Sequence, residues 1–96
     1  MQLARFLNNV FKKDGFILVD ANSKSYIIGN PKSENPIKLK ILNKNLHYKL
    51  LFHPDLYFGD AYTDGEIIIE NGTLTDFLDL SLMNFGRGDL NFFSYL

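Results

Sequence analysis

Apolar and polar positions along the 96-residue chain change period several times, and the changes outline its elements. Leu3, Phe6, Leu7, Val10 and Phe11 recur at the spacing that puts side chains on one face of a helix. An amphipathic helix is expected over residues 2–12, stopped before Asp14 and Gly15. Two β-rich runs, residues 16–19 and 26–28, flank the polar stretch 20–24 and read as a hairpin. Pro31, Pro36 and the polar residues between them make a loop of 30–36. Ile37, Leu39 and Ile41 then alternate with Lys38 and Lys40, a period of two that places three aliphatics toward a core and two lysines in solvent.

Helical spacing returns with Leu46, Leu50 and Leu51 inside residues 43–52, where Asn43 or Asn45 is a cap and Pro54 blocks simple continuation. A second short helix or turn follows through residues 55–62. Thr63, Asp64 and Gly65 read as a tight turn into a strand over 66–70, and its unbroken Ile67, Ile68 and Ile69 predict cover on both faces. Asn71 and Gly72 turn the chain again. Thr73 and Asp76 form a capping box with Asp in place of the usual Glu, opening a helix with Leu74, Phe77, Leu78 and Leu82 on its inner face. Gly86 and Gly88 are expected to end it. This order predicts a single α+β domain over residues 1–96, with a small, mainly antiparallel sheet covered by helices.

Composition narrows the chemistry. The chain has no cysteine, so disulfides and thiolate chemistry are excluded. Asn8 and Asn9 interrupt the apolar run a signal peptide would need, and no run approaches membrane-spanning length. A cytoplasmic protein is expected, meeting membranes at most peripherally at the inner surface. The small net charge hides a split: residues 1–50 carry nine basic side chains against three acidic, and residues 51–96 carry one against eight. Two readings follow, attraction between the halves or a basic face for an anionic phospholipid surface. The basic residues are too dispersed for a nucleic-acid patch.

Residues 59–65 concentrate Gly59, Asp60, Tyr62, Asp64 and Gly65. Asp60 and Asp64 would share a face if the segment is helical, which suits a ligand or interdomain contact. The structural alternative has Gly59 permitting close packing, Tyr62 reaching the core with its hydroxyl bonded, and Gly65 making a turn. Direct catalysis has no nucleophile or pocket to support it. His47 and His53 lack a third ligand at metal spacing, so no metal site is expected. The glycine pair Gly86 and Gly88 follows a helix, the wrong context for a nucleotide-binding turn, so no cofactor site is expected either. Phe6, Phe11, Phe16, Phe52, Phe58 and Phe77 are assigned to the core. Phe92, Phe93 and Tyr95 lie in an apolar tail, for which two readings stand: docking on another domain, a second subunit or a membrane, or packing back on this domain.

The run PDLYFGDAYTDG at residues 54–65, with IIIENGTLTDFL after it, resembles the N-terminal domain of cyclopropane-fatty-acyl-phospholipid synthases, where Pro-Asp-Leu-x-x-Gly-Glu-x-Tyr-Met-Asp-Gly precedes a short strand and an amphipathic helix. Looser similarity extends to residues 14–19, 26–29 and 78–84. Asp60 stands where the family favours Glu, and Thr63 where it favours Met. The resemblance implies a non-catalytic accessory domain of an enzyme that moves a methylene unit from S-adenosylmethionine to the cis double bond of a phospholipid acyl chain. It implies that cofactor, catalytic residues and chemistry belong to a separate methyltransferase domain, for which 96 residues leave no room. Expected partners are that domain, an anionic lipid surface and a further copy of the chain. The element order also resembles the sterol-carrier type of fold, and a free-standing lipid-binding module with a pocket lined by Leu74, Phe77, Leu78 and Ile67 is the rival expectation.

Overall fold

The computed structural model describes residues 1–84, side chains 54–56 excepted. Within them the chain forms α1 (Gln2–Val10), β1 (Gly15–Val19), β2 (Ser25–Gly29), β3 (Lys38–Ile41), α2 (Lys44–Phe52), α3 (Pro54–Thr63), β4 (Ile67–Glu70) and α4 (Leu74–Asn84). The strands make one sheet in the order β2-β1-β3-β4, with β1–β2 and β3–β4 antiparallel and β1–β3 parallel. The α+β class and the predominance of antiparallel pairing are as the residue pattern predicts.

The hairpin turn is built around Asp20. Its N–H donates to Lys24 O, its own carbonyl accepts from the N–H of Ser23, and its carboxylate accepts from the N–H groups of Asn22 and Lys24 and from the Tyr26 hydroxyl. A second polar device sets the crossing from β2 to β3. Asp14, at φ 62°, accepts from the N–H of Gly15 and of Lys32 through Oδ1, and from the N–H of Asn30 through its carbonyl. The loop is thereby held across the end of β1, and β3 enters on the far side of it, parallel.

Alternation along the strands divides the sheet into two unlike faces. Phe16, Leu18, Ile28, Leu39, Ile41 and Ile67 point to the buried side, where the helices add Leu3, Phe11, Leu46, Leu50, Phe58, Phe77 and Leu80. Aromatic rings chain through this core: Phe11 edge-on to Phe16 at 5.0 Å, Phe16 edge-on to Phe77 at 5.2 Å, and Phe77 stacked on Phe58 at 5.5 Å. Such pairs add about 0.5–1.5 kcal/mol each beyond their area burial. The opposite face carries Ile17, Val19, Ile27, Lys38, Lys40, Ile68 and Glu70, with Lys40 and Glu70 ion-paired at 3.2 Å.

Four expectations are corrected. The strand of three isoleucines is not covered on both faces: β4 is an edge strand and Ile68, on the face away from the helices, is 41% exposed. Phe52 is not in the core but 69% exposed, because it ends α2 on the side away from Leu46 and Leu50. Leu82 is likewise 43% exposed. Stacking of Phe77 on Phe58 sets the phase of α4, so the stripe facing inward is Phe77, Leu80, Ser81 and, at its end, Asn84. The first helix ends at Val10, and Phe11 is buried in extended conformation beyond it. The expected helix end at Gly86 and Gly88, and the tail residues Phe92, Phe93 and Tyr95, lie outside the described residues.

Candidate functional site

The seven-residue concentration of carboxylate, phenol and glycine falls on the last turns of α3 and its exit. Pro54 occupies the first turn of that helix, where a missing N–H costs nothing, and α2 ends two residues earlier, at Phe52, with His53 between them. The junction is stiffened by the His53 carbonyl, which accepts from the N–H of Tyr57 at 3.1 Å, and by the Lys49 ammonium 5.4 Å above the Tyr57 ring. Phe58, Gly59 and Ala61 form the buried side of α3.

At its C-terminus α3 closes in a Schellman arrangement. The N–H of Glu66 reaches Ala61 O at 2.9 Å, the N–H of Gly65 reaches Tyr62 O at 3.2 Å, and Gly65 sits at φ 77°. What the sequence presents as a tight turn into β4 is a helix cap. Glu66 is then anchored by its carboxylate, which accepts from Asn43 Nδ2, while Asn43 caps α2 through the N–H of Asn45. The cap therefore ties the exit of α3 to the entrance of α2.

Of the candidate residues, the structure brings Asp60, Tyr62, Asp64 and Gly65 to the surface and keeps Gly59 inside. Tyr62 does not reach the core: its side chain is 38% exposed, and its hydroxyl has no hydrogen-bond partner among the described residues. Helical phase alone would place Tyr62, one turn after the buried Phe58, on the same side of α3; it is exposed in the last turn of the helix. Two carboxylates, Asp60 and Asp64, are carried by the end of a helix whose last turn has no basic residue. Neither is ion-paired among the described residues, where the one ion pair joins Lys40 and Glu70.

The remaining candidate chemistry is dispersed. His53 lies against Tyr57, with ring centroids 6.2 Å apart, whereas His47 interacts electrostatically with Asp20. Among the described residues no three His, Asp or Glu side chains are grouped to hold a metal ion. An apolar cavity of about 40 Å³ lies between helices and sheet, lined by Leu3, Leu7, Phe11, Phe58, Phe77 and Ser81 among others. Of the four residues expected to line a lipid pocket it includes only Phe77. No described helix is long and apolar enough to cross a membrane.

Sequence reasoning missed two polar side chains that organise the fold, Asn8 and Asn84. Asn8 Oδ1 accepts from the N–H of Gly29 at 2.7 Å and its Nδ2 donates to Ile27 O at 3.3 Å, so that a helix side chain continues the β2 edge. Its partners lie about twenty residues away, and no local pattern announces them. No family model, no curated protein and no solved structure matches the chain significantly.

Proposed function

We infer that the chain is a non-catalytic accessory domain of the kind that leads cyclopropane-fatty-acyl-phospholipid synthases, and that it docks on a methyltransferase domain through the end of α3. One observation carries this reading: of the residues shared with that family's motif, Gly59 is buried in α3 while Tyr62, Asp64 and Gly65 are exposed, as is Asp60, which stands where the family favours Glu. A motif maintained for packing alone would turn its phenol to the core. Here an exposed phenol and two exposed carboxylates without an ion-pair partner among the described residues share the end of α3, a combination suited to a partner bearing cations and hydrogen-bond acceptors.

On this reading the transfer of a methylene unit from S-adenosylmethionine to an unsaturated acyl chain is performed by the partner domain, and this chain contributes position and assembly. The rival lipid-binding module finds less support. A cavity of about 40 Å³ has room for roughly one water, against the several hundred Å³ of a ligand pocket.

The test is co-purification of this chain with the catalytic domain of such a synthase, supplied as a separate polypeptide. Binding that is lost in Tyr62→Ala and Asp60→Lys, with melting temperature unchanged, supports docking through α3. Binding indifferent to both substitutions, or absent altogether, overturns it. Calorimetry of the chain alone with S-adenosylmethionine should give no binding heat; a saturable heat would place cofactor chemistry here and refute the accessory role.

A further inference from the structure

The two edges of the sheet are finished differently. At the β2 edge the outward groups of Ile27 and Gly29 are taken up by Asn8 of α1. At the β4 edge nothing comparable is present among the described residues. The N–H of Leu42 donates to Glu66 O at 2.9 Å, which fixes the phase of the β3–β4 ladder. Residues in step with Glu66, namely Ile68 and Glu70, turn their backbone groups toward β3, so Ile67 and Ile69 turn theirs away from the sheet. No described hydrogen bond reaches those outward N–H and C=O groups. Ile67 is buried, so the open part of this short edge centres on Ile69; the strand contains no proline and no lysine, and three of its four residues are isoleucine.

An unpaired edge of this kind recognises an extended strand, and the side chains of β4 suit a second copy of itself. We propose that two copies of this chain associate through antiparallel pairing of their β4 edges about a twofold axis at Ile69, joining two four-stranded sheets into one. Charge decides the register. An axis at Ile68 would set Glu66 of one copy directly against Glu70 of the other, whereas an axis at Ile69 sets each Glu70 beside Ile68 of the other copy. That row is flanked by Lys40 of one copy and Lys38 of the other, so it sets no two carboxylates side by side and ends in a lysine on either side. The same register places the two Ile69 side chains side by side on the core face and covers the exposed Ile68. This association is separate from the docking of α3 and does not depend on it.

Sedimentation velocity of the whole chain, from low to high micromolar concentration, together with hydrogen exchange at single amides, tests the proposal. The expected result is a monomer–dimer equilibrium in which exchange of the Ile69 amide slows as concentration rises. Ile68→Glu faces Glu70 of the second copy twice over and should weaken association roughly tenfold. Ile68→Lys, facing the same carboxylates, should leave it as tight or tighter. Ile27→Glu, at the edge closed by Asn8, should not change it. A chain that stays monomeric throughout, with Ile69 exchange independent of concentration, overturns the proposal. So does a dimer weakened by Ile27→Glu and indifferent to Ile68→Glu.

Discussion

Asn84 and Lys13 exchange hydrogen bonds in both directions. Asn84 Oδ1 accepts from the N–H of Lys13 at 2.7 Å, and its Nδ2 donates to Lys13 O at 2.8 Å. The same oxygen accepts from the N–H of Lys12, and the same amide nitrogen donates to Leu80 O. One side chain at the end of α4 thus satisfies the backbone that leaves α1, in the way a neighbouring strand would.

Removing it should be costly for a surface residue. Asn84→Ala leaves three backbone groups of Lys12 and Lys13 to water, and a loss of about 1–2 kcal/mol is expected. Asn84→Asp keeps the acceptor and forfeits both donations, and it brings negative charge to the C-terminal end of α4, where the dipole opposes it. It should therefore rescue only in part. Urea titrations of the two variants check the order; an alanine variant as stable as the original would show the exchange to be incidental.

Gly65 supplies backbone conformation and nothing else. A Cβ built there meets no atom within 4 Å, yet φ is 77°. Gly65→Ala should thus cost about 1 kcal/mol through strain alone, and Gly65→Asn less, because Asn tolerates the left-handed region. Gly15 is the opposite case, its Cβ falling on Ile28 O and within 2.8 Å of Asn30 N. Gly15→Ala cannot be accommodated without parting β1 from β2, and it should destabilise more than Gly65→Ala. Equal melting temperatures for the two alanine variants would contradict this account.

These positions show what the sequence could and could not convey. Local signals located most elements, because burial here follows local phase, as in Ile37, Leu39 and Ile41 against Lys38 and Lys40, and because Thr73 and Asp76 cap α4 reciprocally through the N–H groups of Asp76 and Thr73. The stretch that forms α3 reads as either helix or turn. The motif of residues 59–65 was legible as a cluster, but its inward and outward members were not, since that depends on where Phe77 stacks against Phe58. The faces of β4 were misjudged for a similar reason. An apolar run does not say whether a strand is central or at an edge; only the crossing held by Asp14 decides that β4 is last in order. Asn8 and Asn84 act on backbone remote in sequence, and an asparagine in a helix carries no mark of such a partner.

Ser23 closes the first hairpin at φ 66°, with its N–H bonded to Asp20 O at 2.9 Å. A three-residue hairpin loop favours glycine at a left-handed position. Ser23→Gly should raise stability by about 0.5–1 kcal/mol, because relief of the Cβ penalty exceeds the added freedom of the unfolded chain. Thermal unfolding reads this directly, and a lower melting temperature would mean that the serine hydroxyl has a role beyond the turn.

Acid stability should carry the signature of His47 and Asp20. His47 Nε2 is shielded from solvent without a hydrogen-bond partner among the described residues. Its burial lowers the imidazole pKa; the Asp20 carboxylate works to raise it and Lys44 to lower it, and the net direction is down. The folded protein therefore takes up this proton less readily than the unfolded chain. As pH falls past the ordinary imidazole value of about 6.5, the unfolded chain protonates first, so stability is full above that pH and declines below it. Asp20 acts at lower pH. Burial works to raise its pKa, but the N–H groups of Lys24 and Asn22, the Tyr26 hydroxyl and the charge of His47 outweigh it, and the net direction is again down. Its contribution is present above its unfolded value and is lost as pH falls through the folded one. Denaturant titrations across pH should thus show two declines on the acid side, the upper one absent in His47→Leu and the lower one reduced in Asp20→Asn. If the upper decline persists in His47→Leu, the imidazole is not its source, and the shielded nitrogen is reached by water in solution.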